Sequence, residues 1–431
     1  MFLKPVKAAM ALGALCVCSL ALAQATDANK ALLDILIKKG VLTQDEATQI
    51  SQEVVQSQKG QDVITNPADG FLKKLTFSGR FQVQFDDIGA SIDGNPVNPV
   101  ATERFMIRRA YVGVRADFTN NLYGQITYDF ANDSFDKFLL GWKQSDLLVL
   151  QTGLDKAPFG YEEMTSSGNL KAIERSPLTR YFDEGNNGRR LGAASYRIGL
   201  YASGTANIFF YNVAITNPDR NEYSGDGTSG VAVNSQPAVN TAASTNVDNS
   251  IAYYGTAGIA DKFTGGSYRL GVEAGFLPDQ GGPGTTLGNG NNISLYGAYG
   301  DVTYGNFNLQ AEYESAKDDH GVSATQDAKP SGYWVQPAYF VIPKTLEAVV
   351  RYSELDSDHR GVALSDGIRS APSGGTMDKM DELYVGGNWY IDGNDVKLSL
   401  GYTHGESKDT VTGGPAKANS DGVRSQMQVQ F

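Results

Sequence analysis

The chain has 431 residues, with 36 basic and 48 acidic side chains, a net charge of −12, 49 glycines and 22 tyrosines. A hydrophobic share of 41% excludes both a multi-helix membrane bundle and a disordered chain, and the acidic balance excludes a general nucleic-acid binder. Abundant Gly and Tyr beside 2 Cys, 7 Met and 15 Pro point to many strands.

The chain opens with Lys4 and Lys7, an apolar run from Ala8 to Leu22, and small residues at Ala21, Ala23 and Ala25. This is the pattern of a secretory signal peptide over residues 1–25, cut after Ala23 or Ala25. Cys16 and Cys18 both lie inside it, so the exported chain is expected to hold no thiol, disulfide or thiolate metal site. Loss of Lys4 and Lys7 takes the net charge to −14. No later stretch reaches the ~18 consecutive apolar residues of a transmembrane helix, which leaves a closed barrel as the one way for the rest to enter a bilayer.

Residues 26–70 read as a periplasmic helical prefix and linker. Leu32, Leu33, Ile35, Leu36 and Ile37 form an apolar cluster ended by Gly40. Thr43 and Glu46 then frame a capping box that opens a second helix through Ala47, Ile50, Val54 and Val55. The pair suits a helical hairpin, a short coiled coil between subunits or a plain spacer, because helices this short are marginal alone. Lys59 to Gly70 reads as the linker.

From residue 71 the period changes to two. Leu75, Phe77, Gly79, Phe81, Val83 and Phe85 share one face, with Thr76, Ser78, Arg80, Gln82, Gln84 and Asp86 on the other. The pattern returns with Ala110, Val112, Val114, Ala116 and Phe118 opposite Arg109, Tyr111, Arg115 and Asp117, and with Leu122, Ile126, Tyr128 and Phe130 opposite Gln125, Thr127 and Asp129. Further strands are predicted to begin near Phe135, Leu147, Arg190, Ile208, Ile251, Tyr268, Asn292, Phe307, Tyr333, Leu346, Met380, Val396 and Ser425. The total is about 16, an even number of the kind outer-membrane barrels use.

Short turns are predicted at 119–121, 144–146, 202–206, 305–306, 343–345 and 392–395. Long polar segments are predicted at 87–103, 156–188, 217–249, 277–291, 316–331, 355–380 and 405–423. Apart from the brief gap near 131–134, the two kinds alternate, as short periplasmic turns and long external loops do in an outer-membrane barrel. A soluble sandwich also alternates along its strands. The export signal and the Leu, Val, Phe and Tyr faces in one long run favour an all-β, 16-stranded antiparallel transmembrane barrel over residues 71–431. A lumen that wide is expected to hold water, with polar residues inward and apolar ones on lipid. The chain ends Met427, Val429, Phe431 on one face and Gln426, Gln428, Gln430 on the other, which resembles the terminal strand of outer-membrane porins.

Two blocks carry a closer resemblance. The first is Arg108-Arg109-Ala110-Tyr111-Val112-Gly113-Val114 followed by Tyr123-Gly124-Gln125-Ile126-Thr127-Tyr128-Asp129-Phe130. The second runs from Gly153 through Lys156, Pro158-Phe159-Gly160, Glu162 to Ser167 and Glu174-Arg175-Ser176, and ends at Gly188-Arg189-Arg190-Leu191-Gly192. In order, spacing and loop position these are similar to the phosphate-selective porin O/P family. The resemblance implies a trimeric 16-stranded barrel whose third external loop, here about 156–188, folds inward and conducts anions past basic residues. It also implies a homotrimer set in outer-membrane lipid and lipopolysaccharide of a Gram-negative bacterium, with small inorganic or organic ions as solutes. The sequence departs from the family at Leu154 and Asp155, where a Gln-Phe pair is usual, and so sets an acid beside the loop.

On the strand parity above, Arg80, Arg109, Arg115, Lys143, Arg269, Arg351 and Lys397 face the lumen, together with Asp86, Asp117, Asp129, Glu273, Glu312, Glu314, Glu347 and Glu382. Fixed cations select anions by replacing their hydration, and acids do the reverse; the two sets here are nearly balanced, and pairing across strands to keep the wall rigid is an equal alternative for each. The constriction is expected from Lys156, Lys171, Arg175, Arg180, Arg189 and Arg190, interleaved with Asp155, Glu162, Glu163, Glu174, Asp183 and Glu184. Opposite signs on opposite walls would give a transverse field, and arginines alone would favour anions.

No cofactor motif is present. The histidines His320, His359 and His404 accompany no G-x-S-x-G or H-E-x-x-H pattern, which argues against a barrel enzyme. Asp356 and Asp358 lack the spacing of a calcium loop. Gly281, Gly282, Gly284 and Gly288 resemble a phosphate loop in composition only. An adhesive barrel would place its function in the loop at 217–249, whose Gly, Ser, Thr and Asn content instead suits a variable surface loop.

Overall fold

The structure is a computed structural model that describes residues 61–65, 70–185, 189–218, 251–278, 292–323, 325–409 and 417–431. Sixteen strands form the wall: β1 (Leu72–Ile92), β2 (Asn95–Phe118), β3 (Leu122–Asp129), β4 (Ser134–Ser145), β5 (Leu148–Lys156), β6 (Tyr196–Ala206), β7 (Phe209–Thr216), β8 (Ala252–Phe263), β9 (Gly266–Leu277), β10 (Ile293–Tyr304), β11 (Phe307–Ser323), β12 (Ser331–Ile342), β13 (Leu346–Asp356), β14 (Lys379–Asp392), β15 (Val396–Lys408) and β16 (Lys417–Gln430). Each pairs antiparallel with its sequence neighbours. The last returns to the first, with Gln430 opposite Arg80 and Ala418 opposite Ile92, so no edge is left open. Phe431 finishes the seam by exchanging backbone hydrogen bonds of 3.0 and 3.1 Å with Gly79.

The two-residue period sets which side chains meet which solvent. Along β13, exposed Leu346, Ala348, Val350, Tyr352 and Glu354 alternate with buried Glu347, Val349, Arg351, Ser353 and Leu355. Leu140, Leu200, Val272, Leu400 and Met427 continue the outward apolar band around the barrel, a surface that suits lipid and not water. Phe209, Phe263, Tyr304, Phe307 and Trp389 rim the end with the short turns, and Tyr253, Tyr296, Tyr333 and Tyr352 rim the other, forming two aromatic girdles. Among the described residues no helix is long and apolar enough to cross a membrane.

Several boundaries differ from those read in the sequence. The expected long loop at 87–103 is almost entirely strand, because β1 and β2 run on past the apolar band and meet at a two-residue turn, Asp93 (φ 48°) and Gly94 (φ 81°). That Asp-Gly pair, with both residues at positive φ, is the preferred chemistry for a tight hairpin. The segment 316–331 is likewise mostly strand, from β11 and a short strand Gln326–Ala328 paired to it. The turn expected at 202–206 falls at 207–208, and the strand expected near Arg190 begins at Tyr196. A further short turn at 264–265 joins β8 to β9. Within the expected linker, Gln61–Thr65 is a strand paired to the start of β1. The signal peptide, the helical prefix to residue 60, the loop at 219–250 and the glycines at 281–288 lie outside the described residues.

The lumen is filled more than its width alone implies. Loop 3 (157–195) carries α1 (Tyr161–Met164) and α2 (Pro177–Phe182), and loop 7 (357–378) carries α3 (Leu364–Gly367). Ser176 caps α2 by accepting the Thr179 N–H at 3.2 Å, and Pro177 occupies the first turn, where no N–H is needed. Phe159, Leu178, Tyr181, Phe182, Leu191, Val362, Leu364 and Ile368 then build an apolar core inside the barrel against Leu295, Trp334, Leu355 and Met380 of the wall. A charge on the lipid face tests the assignment of faces: Leu400→Arg is expected to lower folding stability in bilayers by about 2–4 kcal/mol if the residue sits near the midplane. Urea titration in liposomes measures this, and an unchanged midpoint would take that face off the lipid.

Candidate functional site: a basic slot between loop 3 and the wall

Loop 3 is held in the lumen by charged and amide side chains of the wall. Lys397 donates to the carbonyls of Gly168 (3.1 Å) and Leu170 (3.0 Å), Gln428 to Gly168 (3.2 Å), and Asn394 to Gly168 (2.9 Å). Arg80 donates to the Ser166 and Ser167 hydroxyls at 2.8 and 2.9 Å. Arg351 spans from Glu382 (2.9 Å) on the wall to Glu162 (3.0 Å) and the Glu174 carbonyl (2.9 Å) in the loop. Lys171 pairs with Glu347. The contact is close enough that a Cβ at Gly168 would meet Arg80 Nε at 2.6 Å.

On the side of β2 to β5, loop 3 stands clear of the wall and leaves a cavity of about 350 Å³. Its basic lining is Arg108, Arg109, Lys156, Arg175, Arg190 and Arg369, and its acidic lining is Asp129, Asp136, Glu163 and Glu184. Each acid is engaged. Glu163 pairs with Arg175 (2.8 Å) and Lys156 (3.3 Å), and Glu184 with Arg369 (2.8 Å), Arg190 (3.1 Å) and Arg180 (3.3 Å). Asp129 accepts backbone N–H groups from Ala110 and Ala131, and Asp136 accepts the Tyr196 hydroxyl. Arg109 is different: its hydrogen bond goes to the neutral Gln82 Oε1 at 2.8 Å, and among the described residues no carboxylate pairs with it.

Two adjacent arginines reach the same slot because β2 is bulged. Gln82 lies opposite Arg109 and Val83 opposite Ile107, so Arg108 is the extra residue. Ile107 remains on the outer face while Arg108 and Arg109 both line the slot. Strict alternation would have put Arg108 on lipid, at a cost of about 2–4 kcal/mol near the midplane. Arg108 grips Glu174 with two bonds (2.6 and 3.0 Å), and Arg369 of loop 7 takes the same carboxylate at 3.0 Å. Neither arginine was singled out from the sequence as a site residue. Arg369 had no local signal, whereas a charged pair inside a strand was a visible one.

The remaining residues expected to face the pore are distributed differently. Arg351 and Lys397 point inward but are covered by loop 3, which takes their donors. Arg80 is partly covered in the same way. Arg115 is bonded to Asp117 (2.9 Å) and stacks on Tyr123, Arg269 stacks on Phe210, and Lys143 pairs with Asp146 (2.8 Å) beside a short turn. Of the residues expected at the constriction, Lys156 at the end of β5 and Arg175 and Arg190 of loop 3 line the slot. Arg180 is buried against Glu184 and the Ser365 carbonyl, Lys171 is taken by Glu347, and Arg189 holds Asp366 of loop 7 with bonds of 2.7 and 3.0 Å. Asp356 pairs with Lys379 and accepts the Asp358 N–H, while Asp358 accepts the Lys329 N–H, an arrangement of solvated turns.

The model of the family described as phosphate-selective porin O and P matches residues 76–431. The chain belongs to that family. Membership makes this porin an outer-membrane channel. Solved structures agree on the fold at low identity. The anion-selective porin from Comamonas acidovorans is 12% identical, with TM-score 0.54 over 83% of this chain and 99% of that one. The outer-membrane channel DcaP of Acinetobacter baumannii is 12% identical, with TM-score 0.51 over 84% and 98%. Salmonella typhi OmpF in complex with daunomycin is 13% identical, with TM-score 0.50 over 83% and 98%. No curated protein sequence matches.

Asp155, the acid that departs from the family pattern, is neutralised in this porin by Lys137 at 2.7 Å and accepts the Lys156 N–H. Burial raises the cost of ionising Glu174 and Glu184. The arginines around them more than offset it: Arg108 and Arg369 hold Glu174, and Arg369, Arg180 and Arg190 hold Glu184, both well below the usual carboxylate range. The clasp between loops 3 and 7 is therefore fully formed above the ordinary glutamate value of 4.5 and is lost only as pH falls through the depressed values. Current noise and conductance are expected to stay flat from pH 7 to about that point. Glu174→Gln removes the charge shared by Arg108 and Arg369 and should raise the anion-to-cation permeability ratio by up to about fivefold, the weight of ~1 kcal/mol for one unit charge at 4 Å in water. Reversal potentials measure it, and a fall in the ratio would contradict the assignment.

Proposed function

We propose that this porin passes small hydrophilic anions by passive diffusion through the slot between loop 3 and β2 to β5, with phosphate among the solutes it binds. The observation that carries this reading is the imbalance of that lining. Six cations face four acids, the acids are already engaged by donors, and Arg109 presents a guanidinium with no carboxylate partner among the described residues. A planar guanidinium offers paired donors that suit phosphate oxygens, and Arg108, Arg175 and Arg190 beside it extend the same chemistry. Passage requires sites that bind well enough to admit an ion and weakly enough to release it. Arginines already shared with Glu163, Glu174 and Glu184 meet that condition better than bare ones, since part of their field is spent internally. The named anion selectivity of the Comamonas porin and the family description support the same reading. The family's assembly supports a homotrimer, whose outer band would meet outer-membrane lipid and lipopolysaccharide.

The test is the reversal potential of the refolded protein in a planar bilayer under a KCl gradient, repeated with inorganic phosphate. Anion selectivity with phosphate reducing the chloride current is expected. Arg109→Gln should lower the permeability ratio by about fivefold on the same one-charge estimate, and Arg190→Ala should lower it too, while Arg189→Ala leaves it unchanged. Cation preference in the wild-type protein, or an Arg109→Gln ratio equal to wild type, would overturn the reading.

A further inference from the structure

Across the barrel from the basic slot, β9 and β11 bring Glu273, Glu312 and Glu314 together, each with a carboxylate oxygen within 4.8 Å of the others. All three are at least nine-tenths buried. Glu312 is oriented by three donors, the N–H groups of Tyr161 and Glu162 and the indole N–H of Trp334 at 2.9 Å. Neither oxygen of Glu314 has a hydrogen-bond partner, those of Glu273 have only the Gly160 N–H and Glu312 nearby without a well-formed bond, and no ion pair reaches any of the three among the described residues. A fourth carboxyl arrives independently from loop 3. Asp183, at the end of α2, is fully buried, has no partner for either oxygen, and packs with Oδ2 against Gly160, the residue before the Tyr161 N–H that holds Glu312. Burial and the neighbouring Glu312, Glu163 and Glu273 push the Asp183 carboxyl well above the usual range.

We propose that Glu273, Glu312 and Glu314, with Asp183 of loop 3 beside them, form a divalent-cation site, with calcium the preferred ion, that fastens the end of α2 to the β9–β11 wall. The donors are all carboxylate oxygens, the set chosen by hard cations. Calcium accepts a flexible cage of six to eight oxygens, whereas magnesium dehydrates reluctantly and keeps several waters, so a buried all-carboxylate cluster favours calcium; one oxygen of each glutamate lies within 4.8 Å of the others, close enough for a single ion to bridge. One ion would give the orphaned oxygens a partner and compensate a charge that no lysine or arginine meets, in contrast to Glu162, Glu163, Glu174 and Glu184, which all have arginines. The constriction loop would then be held by arginines on one side and by a cation on the other.

Trp334 supplies a reporter, because its indole bonds Glu312, whereas Trp142 and Trp389 are exposed on the outer face. Protein refolded free of lipopolysaccharide and stripped with EDTA is titrated with terbium under tryptophan excitation. The expected result is saturable emission at one ion per chain that calcium displaces. Glu273→Gln and Glu314→Gln should each weaken affinity at least tenfold, and Trp334→Phe should remove the emission while calorimetry still detects calcium. Calcium should also raise the thermal midpoint of the wild type and not of Glu273→Gln. If the cluster were held by shared protons instead, Gln, being neutral and of the same shape, would leave stability unchanged and calcium would have no effect. Absence of saturable emission from the wild type, or equal affinity in the Gln variant that shows the heat-modifiable migration of a folded barrel, overturns the proposal.

Discussion

The lumen of this barrel takes its shape from the buried contact between Arg351 and the two carboxylates it bridges. One guanidinium, 1% exposed, holds Glu382 of the wall and Glu162 of loop 3 together. Isolating such a charge by removing one partner costs about 3–5 kcal/mol, so the loop stays in register with the wall as long as both acids remain. Lys397 and Gln428 repeat the device at Gly168, and Lys171 repeats it at Glu347. Without these tethers, a wall of sixteen strands would enclose an open water-filled tube. With them, the basic slot lies open on the side where loop 3 leaves the wall.

That division of labour explains why so many charges inside the barrel are not pore charges. Buried acids and bases on the β12 to β16 side serve as fasteners for a loop that carries its own apolar core, Phe159, Leu178, Tyr181 and Phe182. The β2 to β5 side keeps its cations around solvent. Loop 7 reinforces the arrangement, since Arg369 joins Glu174 to Glu184 and Asp366 holds Arg189. A short chain of pairs thus links loop 3 to loop 7 beside the slot.

Much of the barrel was legible because lipid enforces a strict period: Leu346 to Leu355 alternates without a fault, and the wall strand count follows from such runs. The external hairpin of β1 and β2 was not read, because strands beyond the bilayer lose their apolar face, although Asp93-Gly94 carried the turn signal. Alternation alone would set Arg108 on the outer face, and the bulge that turns it inward shifts the period by one residue. The partition of arginines into fasteners and slot residues could not be read, because it depends on which of two surfaces, Glu382 or solvent, lies opposite each one. Arg369 and Asp366 sit about 180 positions from the loop 3 residues they hold, and no local pattern joins them.

The most direct test of the central claim, that solute passes through the slot between loop 3 and β2 to β5, is substituted-cysteine modification at Asn132, an exposed residue on its rim. In protein of residues 26–431 carrying Asn132→Cys, which leaves out Cys16 and Cys18, an anionic methanethiosulfonate is expected to react faster than a cationic one of similar size and to reduce the bilayer current. Equal reaction rates, or a current that does not change after complete labelling, would contradict the account.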